Sequence, residues 1–246
     1  MLASMTDTGR TPAGSAARRA RAERILDAAA ELLGQHGYRR VSIDDVAALA
    51  RVGKGTIYLH WNTREALFWA ALQRETMRML DDLVRRLGED PGLALPHRLM
   101  PAIFREVVRR PLVKAVLLAD AQVLGALSVD DSVAQAQREL AGHPDYLGLL
   151  AGHGLLRPGL TSTAAGHILA SVLRGFFFDQ DADTPPAGSG ELSTPERADL
   201  LADVLARTLE PDSPAPEAAV TALGAEVTEL FRGITTVQRA QLERAY

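Results

Sequence analysis

Residues 41–61, VSIDDVAALARVGKGTIYLHW, decide how the rest of the chain is read. Ser42 is placed to cap a short helix. Asp45, three residues on, completes a Ser-x-x-Asp pattern that satisfies amide donors otherwise orphaned at a helix start. Val46, Ala47 and Ala50 share one face, as in a buried stripe. A break follows at Arg51-Val52-Gly53, and a second helix is predicted over 54–61. Its Ile57 and Trp61 lie four apart and turn inward, which leaves Lys54, Gly55, Thr56, Tyr58 and His60 outward. Two short helices joined by a tight turn, with a small Ala47 at their crossing, make a helix-turn-helix. Such a unit presents the N-terminal half of its second helix to base edges in a DNA major groove.

On that reading Lys54 and Thr56 are candidates for contacts to bases or nearby phosphates, and Tyr58 and His60 for the DNA backbone. Gly55 lets the helix approach the groove closely. Ser42 and Arg64, each at a helix start, are candidate phosphate clamps. Arg51 is a further phosphate candidate; for it and for His60, simple solvation is an equal alternative. Gly53-Lys54-Gly55-Thr56 also resembles part of a phosphate-binding loop, but that motif needs a glycine five residues earlier, where Ala48 stands, and a preceding strand. Asp44 and Asp45 read as charges complementing a helix N-terminus rather than as an acid/base couple.

The run Gly53-Lys54-Gly55-Thr56-Ile57-Tyr58, the aromatic Trp61 and then Thr63-Arg64-Glu65-Ala66-Leu67-Phe68 resemble the N-terminal domain of the TetR family of transcriptional regulators. The likeness spans roughly Arg18 to Leu72. Two positions depart from the family pattern: Arg51 stands where a turn glycine is usual, and Gly53 where a capping Ser or Thr is common. A non-glycine residue held at positive φ costs about 1 kcal/mol, so Arg51 is expected either to be mildly strained or to alter the turn.

Composition agrees with helices. Apolar residues make up 47% and aromatics 5%, with no period-two alternation that would mark strands. The absence of cysteine excludes disulfides and zinc–thiolate sites. No signal peptide or membrane span is visible, since Arg174 interrupts the most apolar late stretch; a cytoplasmic protein with no membrane partner is expected. The formal net charge of −4 is unevenly divided. Residues 1–65 carry 10 Lys/Arg against 7 Asp/Glu, and the remainder 17 against 24. A basic head on an acidic body suits local phosphate attraction without general adhesion to nucleic acid.

Outward from the motif, residues 1–15 are small and polar, and predict a disordered arm. A first helix is predicted over 16–36, with an apolar stripe of Ala22, Ile25, Leu26, Ala29, Leu32 and Leu33, ended by Gly37. Arg10, Arg18, Arg19 and Arg21 make its start basic, as in an arm along phosphates or in the minor groove, or in a solvated basic tail. The head is thus residues 16–65 and a helical effector-binding and dimerisation domain residues 66–210. Within it helices are predicted at 63–87, 93–109, 112–126, 129–150, 161–179 and 194–210, with a loop at 181–193. Residues 211–246 form a linker and an extra helix from 217, which either packs on its own body or extends the dimer contact. The fold class is all-α.

The resemblance implies a homodimer on a double-stranded DNA operator, paired through the helices at 161–179 and 194–210, whose apolar stripes have intramolecular core as their alternative reading. It also implies a small-molecule effector whose binding releases DNA, with repression as the usual outcome. Trp69, Met77, Met100, Phe104, Leu118, Gln122, His143, Tyr146 and Phe177 are candidate pocket residues, suited to a largely apolar effector, with ordinary core as the alternative for each. No cofactor is expected, and the histidines lack close metal-ligand spacing. No motif sets a nucleophile, a base and an orienting group together, so an enzyme is not expected. The competing reading is a helical ligand-binding or protein-interaction module with a degenerate head, for which binding would weaken little with salt.

Overall fold

The computed structural model describes residues 12–129, 144–178 and 192–244, and among these the regular structure is helical throughout. Helix α1 runs Pro12–His36, starting earlier than expected, so residues 12–15 of the anticipated disordered arm are helical. Pro12 sits at the first helical position, where its missing N–H costs nothing. Gly37, at φ 71°, ends the helix and leads through a 3-10 turn (Tyr38–Arg40) into α2 (Ile43–Ala50). Then come α3 (Lys54–Tyr58) and the long α4 (Arg64–Glu89). Helix α3 is shorter than the predicted 54–61: beyond Tyr58 the hydrogen bonding tightens, with the His60 N–H donating to Ile57 O at 2.9 Å.

The head closes around Ala22, Ile25, Leu26 and Ala29 of α1, Val46, Ala47 and Ala50 of α2, Ile57, Trp61, and Leu67 and Phe68 of α4, all buried. Tyr38 and Phe68 meet edge to face at 5.6 Å. A unit of some fifty residues is marginally stable on its own, and this core recruits others. Leu112, Ala115 and Val116 of α6 (Pro111–Leu118) join it, with Leu124, Leu127 and, from the far end of the chain, Leu242. The expected helix 112–126 is in fact broken. Ala119 adopts the left-handed conformation (φ 49°), with Asp120 N–H donating to Ala115 O and Ala119 N–H to Val116 O, and the chain restarts as α7 (Ala121–Leu124) and a 3-10 turn (Gly125–Val129). Gly125 is fixed by contact: a Cβ there would lie 2.4 Å from Cδ1 of Tyr38.

The body packs around Met79, Leu83 and Leu87 of α4, Leu99, Phe104 and Val107 of α5 (Pro96–Arg109), and helices α8 (Pro144–Gly152), α9 (Ser162–Phe178), α10 (Thr194–Leu209) and α11 (Glu217–Arg244). Helix α4 ends not at Leu87 but at Glu89, and Asp90 carries the break by accepting the Gly92 N–H at 3.0 Å. Most of the predicted segment 129–150 and nearly all of the loop at 181–193 lie outside the described residues. No single helix among the described residues is long and apolar enough to cross a membrane.

The terminal helix α11 lies along α4. Near its start Gly224 sits against the 3-10 turn Pro91–Ala94, where a Cβ would lie 2.5 Å from the Pro91 Cβ. At its far end Leu242 is 3% exposed, Arg239 pairs with Asp81 of α4 at 2.7 Å, and Glu243 pairs with Arg19 of α1 at 3.0 Å. Arg19 therefore turns toward α11 rather than standing in a free basic tail. Helices α4, α6 and α11 each contribute to both cores and hold the head to the body.

Candidate nucleic-acid interface

The capping box anticipated from Ser42 and Asp45 is formed in full. The Asp45 N–H donates to Ser42 Oγ at 3.2 Å, and the Ser42 N–H donates back to Asp45 Oδ2 at 2.8 Å. The Ser42 hydroxyl donates to the same oxygen at 2.6 Å, and these bonds hold the Asp45 carboxyl below its ordinary pKa. The turn is closed by Arg51, exposed and left-handed at φ 54°, ψ 49°. Its N–H donates to Ala48 O at 3.2 Å and the Val52 N–H to Ala47 O at 3.0 Å, the paired bonds of a Schellman motif. Of the two outcomes open at Arg51, the strained one holds, and the motif keeps its geometry.

Ile57 and Trp61 are buried, and the opposite side of α3 is open. Lys54, Gly55 and Tyr58 are exposed, Thr56 and His60 half-buried, and nothing lies within 4 Å of where a Gly55 Cβ would stand. Lys54 Nζ lies 2.9 Å from Asp44 Oδ2, and that hydrogen bond and charge raise the lysine's pKa. Both partners are solvent-facing, so the pair is weak and exchangeable for a phosphate. The His60 ring packs against Trp61 at 5.3 Å.

Arg64 is differently employed from the expected clamp. Its Nε donates to Val41 O at 3.0 Å and its Nη2 to Tyr38 O, and the guanidinium lies 4.1 Å from the centre of the Tyr38 ring. The side chain thus ties the start of α4 to the strap between α1 and α2. Beside it the Tyr38 hydroxyl donates to Glu65 Oε1 at 2.7 Å. Burial first, then this bond, push the Tyr38 pKa up to about 12, while the Glu65 carboxyl is held low by accepting it.

Two exposed features at this surface, the Arg39–Arg40 pair and Leu59, escape the sequence reading as contacts, and half-buried Arg18, already a phosphate candidate, joins them. Arg39 and Arg40 stand in the open just before α2. Arg18, through Nη2 to Leu59 O at 3.5 Å, brings the start of α1 to the end of α3. Leu59 itself is exposed, a position that its spacing two residues past buried Ile57 would have revealed.

In the body, Met100, Phe104, Tyr146 and Phe177 come together in one buried cluster, with Phe104 and Phe177 rings 5.3 Å apart; Leu118 packs at its edge. The Tyr146 hydroxyl donates to Ala94 O at 2.9 Å, and burial raises its pKa. Trp69 and Met77 belong instead to the head core, and Gln122 is exposed at the start of α7, so the nine candidate pocket residues do not form one site. His143 lies outside the described residues. A cavity of about 150 Å³ opens between α1, α4 and α11, lined by Arg19, Arg74, Arg78 and Arg239 with Glu23, Asp81 and Glu243. Its size is below the few hundred Å³ of usual ligand sites, and its ion-paired walls do not suit an apolar molecule.

Residues 25–71 match the family model described as bacterial regulatory proteins, tetR family. The chain is 29% identical over 125 residues to an uncharacterized HTH-type transcriptional regulator, YhgD, of Bacillus subtilis, covering 48% of this chain and 62% of that one. It is 34% identical over 97 residues to the DNA-binding transcriptional repressor TetR of Mycobacteroides abscessus, covering 35% and 51%. It thus spans between half and two thirds of these relatives' lengths. Its fold is similar to that of NalD, the secondary repressor of the MexAB-OprM multidrug efflux pump in Pseudomonas aeruginosa. There the TM-score is 0.52 at 21% identity, over 80% of this chain and all of the other. Each of these is a transcriptional regulator or repressor.

Proposed function

We propose that the chain, whose residues 25–71 match the tetR family model, acts as a TetR-family regulator that represses transcription as a homodimer on an inverted-repeat operator and is released by a small apolar effector. The outward face of α3 carries this reading: a lysine, a glycine that permits close approach and a tyrosine stand in the open opposite a buried Ile57 and Trp61. Arg18, Arg39, Arg40 and Arg51 surround that face with charges suited to phosphates. Ser42 adds a hydroxyl at the start of α2. Arg64 acts as a brace for the head rather than by direct contact.

Pairing is assigned to α9 and α10. Both bury one side in the body and leave the other to solvent, where Leu200 stays exposed between Asp199 and Asp203. Two heads held together engage two half-sites one helical turn apart and bind far more tightly than one. The effector is assigned to the cluster of Met100, Phe104, Tyr146 and Phe177, where α5 meets the pairing helix α9. Its binding changes DNA affinity to the extent that it favours one head spacing over the other. Arg51 keeps the turn intact, which argues against a degenerate head, while Gly53 leaves α3 without a side-chain cap.

Lys54→Ala tests the assignment of the surface. It is expected to weaken operator binding at least tenfold and to lower the slope of log affinity against log salt by about one. Arg85→Ala, on the body part of α4, changes neither. Equal losses from both substitutions would place the DNA elsewhere.

A further inference from the structure

Charge and hydrogen bonding explain most of the outward surface of α3, but not Leu59, which is 75% exposed. It follows the last helical residue with helical dihedrals (φ −73°, ψ −18°), and its N–H donates to Gly55 O at 3.2 Å. Helical geometry therefore extends through it. At about 100° per residue, Leu59 lies roughly 200° round from Ile57, whose side chain is fully buried. Gly55, two residues before Ile57, falls on the same outward side and has no side chain to cover it. Leu59 consequently stands over a bare stretch of backbone at the centre of the exposed face. Lys54 and Tyr58 stand on one flank, and the Arg18 guanidinium reaches its carbonyl at 3.5 Å.

An isobutyl group has no donor or acceptor, so it reads none of the polar atoms on base edges. The one apolar group the major groove displays is the 5-methyl of thymine. We propose that Leu59 contacts a thymine methyl in each half-site and so selects an A·T pair at one position of the operator. The inference rests on the DNA-binding reading above and adds to it the base that this residue recognises.

The test uses the full-length protein and the operator it selects from random duplex DNA. Each thymine is replaced in turn by deoxyuridine, which keeps base pairing and deletes only the methyl. At one symmetric position the replacement is expected to weaken wild-type binding about fourfold per half-site, the loss from exposing one buried methyl, and about fifteenfold when both half-sites carry it. Leu59→Ala, whose fold is expected to be unaffected because the side chain is solvent-facing, binds the two duplexes equally and keeps the wild-type salt dependence. If no thymine is methyl-sensitive, or if Leu59→Ala loses as much as wild type at that position, the assignment is overturned. Failure to select any operator is a different result: it overturns the regulator reading, and this one with it.

Discussion

Replacing Leu242 by Ala is expected to destabilise the DNA-binding head from the opposite end of the chain. Leu242 is 3% exposed and belongs to the head core, although 175 residues separate it from Leu67 of the same cluster. Buried Leu→Ala changes cost about 2–5 kcal/mol. Here the side chain borders the 150 Å³ cavity, so part of its surface already lacks packed neighbours. The expected loss is therefore near the low end, about 2 kcal/mol. The flanking pairs Arg239–Asp81 and Arg19–Glu243 are half solvent-exposed, and removing either costs under about 1 kcal/mol. Both tryptophans, Trp61 and Trp69, lie in or against the head core, so urea unfolding followed by their fluorescence reports the head directly. Val237→Ala, on the same helix but 60% exposed, is the matched control and is expected to shift stability by less than about 0.5 kcal/mol. Equal stabilities for wild type and Leu242→Ala would refute the claim that α11 supports the head.

Arg51→Gly relieves a left-handed non-glycine residue and is expected to stabilise the protein by about 1 kcal/mol in urea. If Arg51 also meets a phosphate, the same change lowers the salt slope of operator binding by about one. Gly224→Ala sets a methyl against the backbone of Pro91, and is expected to cost about 1–3 kcal/mol despite alanine's better helix propensity. Tyr38→Phe removes the bond to Glu65, so the Glu65 carboxyl, titrated by NMR, is expected to rise toward its ordinary pKa; no movement would contradict the 2.7 Å contact. The sign of the linkage follows from the two shifts. The lowered Glu65 contributes stability above its ordinary pKa that is lost as pH falls through the lowered value. The raised Tyr38 contributes stability below pH 10 that is lost as pH rises toward about 12.

The helix-turn-helix was legible because each of its parts has a local cause. Ser42 and Asp45 are a cap readable from spacing alone, and Ile57 and Trp61 show their inward face by a four-residue interval. Where tertiary contacts decide, local signals failed. Ala119 ends a helix in a left-handed conformation that favours glycine, so nothing in the segment 112–126 marked a break. Arg64 at a helix start looked like a phosphate clamp, and only the packed structure brings the Tyr38 carbonyl and ring to its guanidinium. For α11 packing on the body is one of two readings the sequence leaves open, but its support of the head is invisible there, because its contacts with Asp81, Arg19 and the head core are all distant in sequence. Trp69 and Gln122 were grouped with the effector cluster by residue type, whereas α4 and α7 carry them to the head side of the molecule.

The central claim is that the outward face of α3 reads DNA sequence as one half of a symmetric pair. Selection of bound molecules from a random duplex library by the purified protein, at near-physiological salt, tests it most directly. The account predicts enrichment of an inverted repeat whose half-sites are one helical turn apart, lost in Lys54→Ala. Binding without any enriched sequence, or a selected site that Lys54→Ala binds as well as wild type, would contradict it.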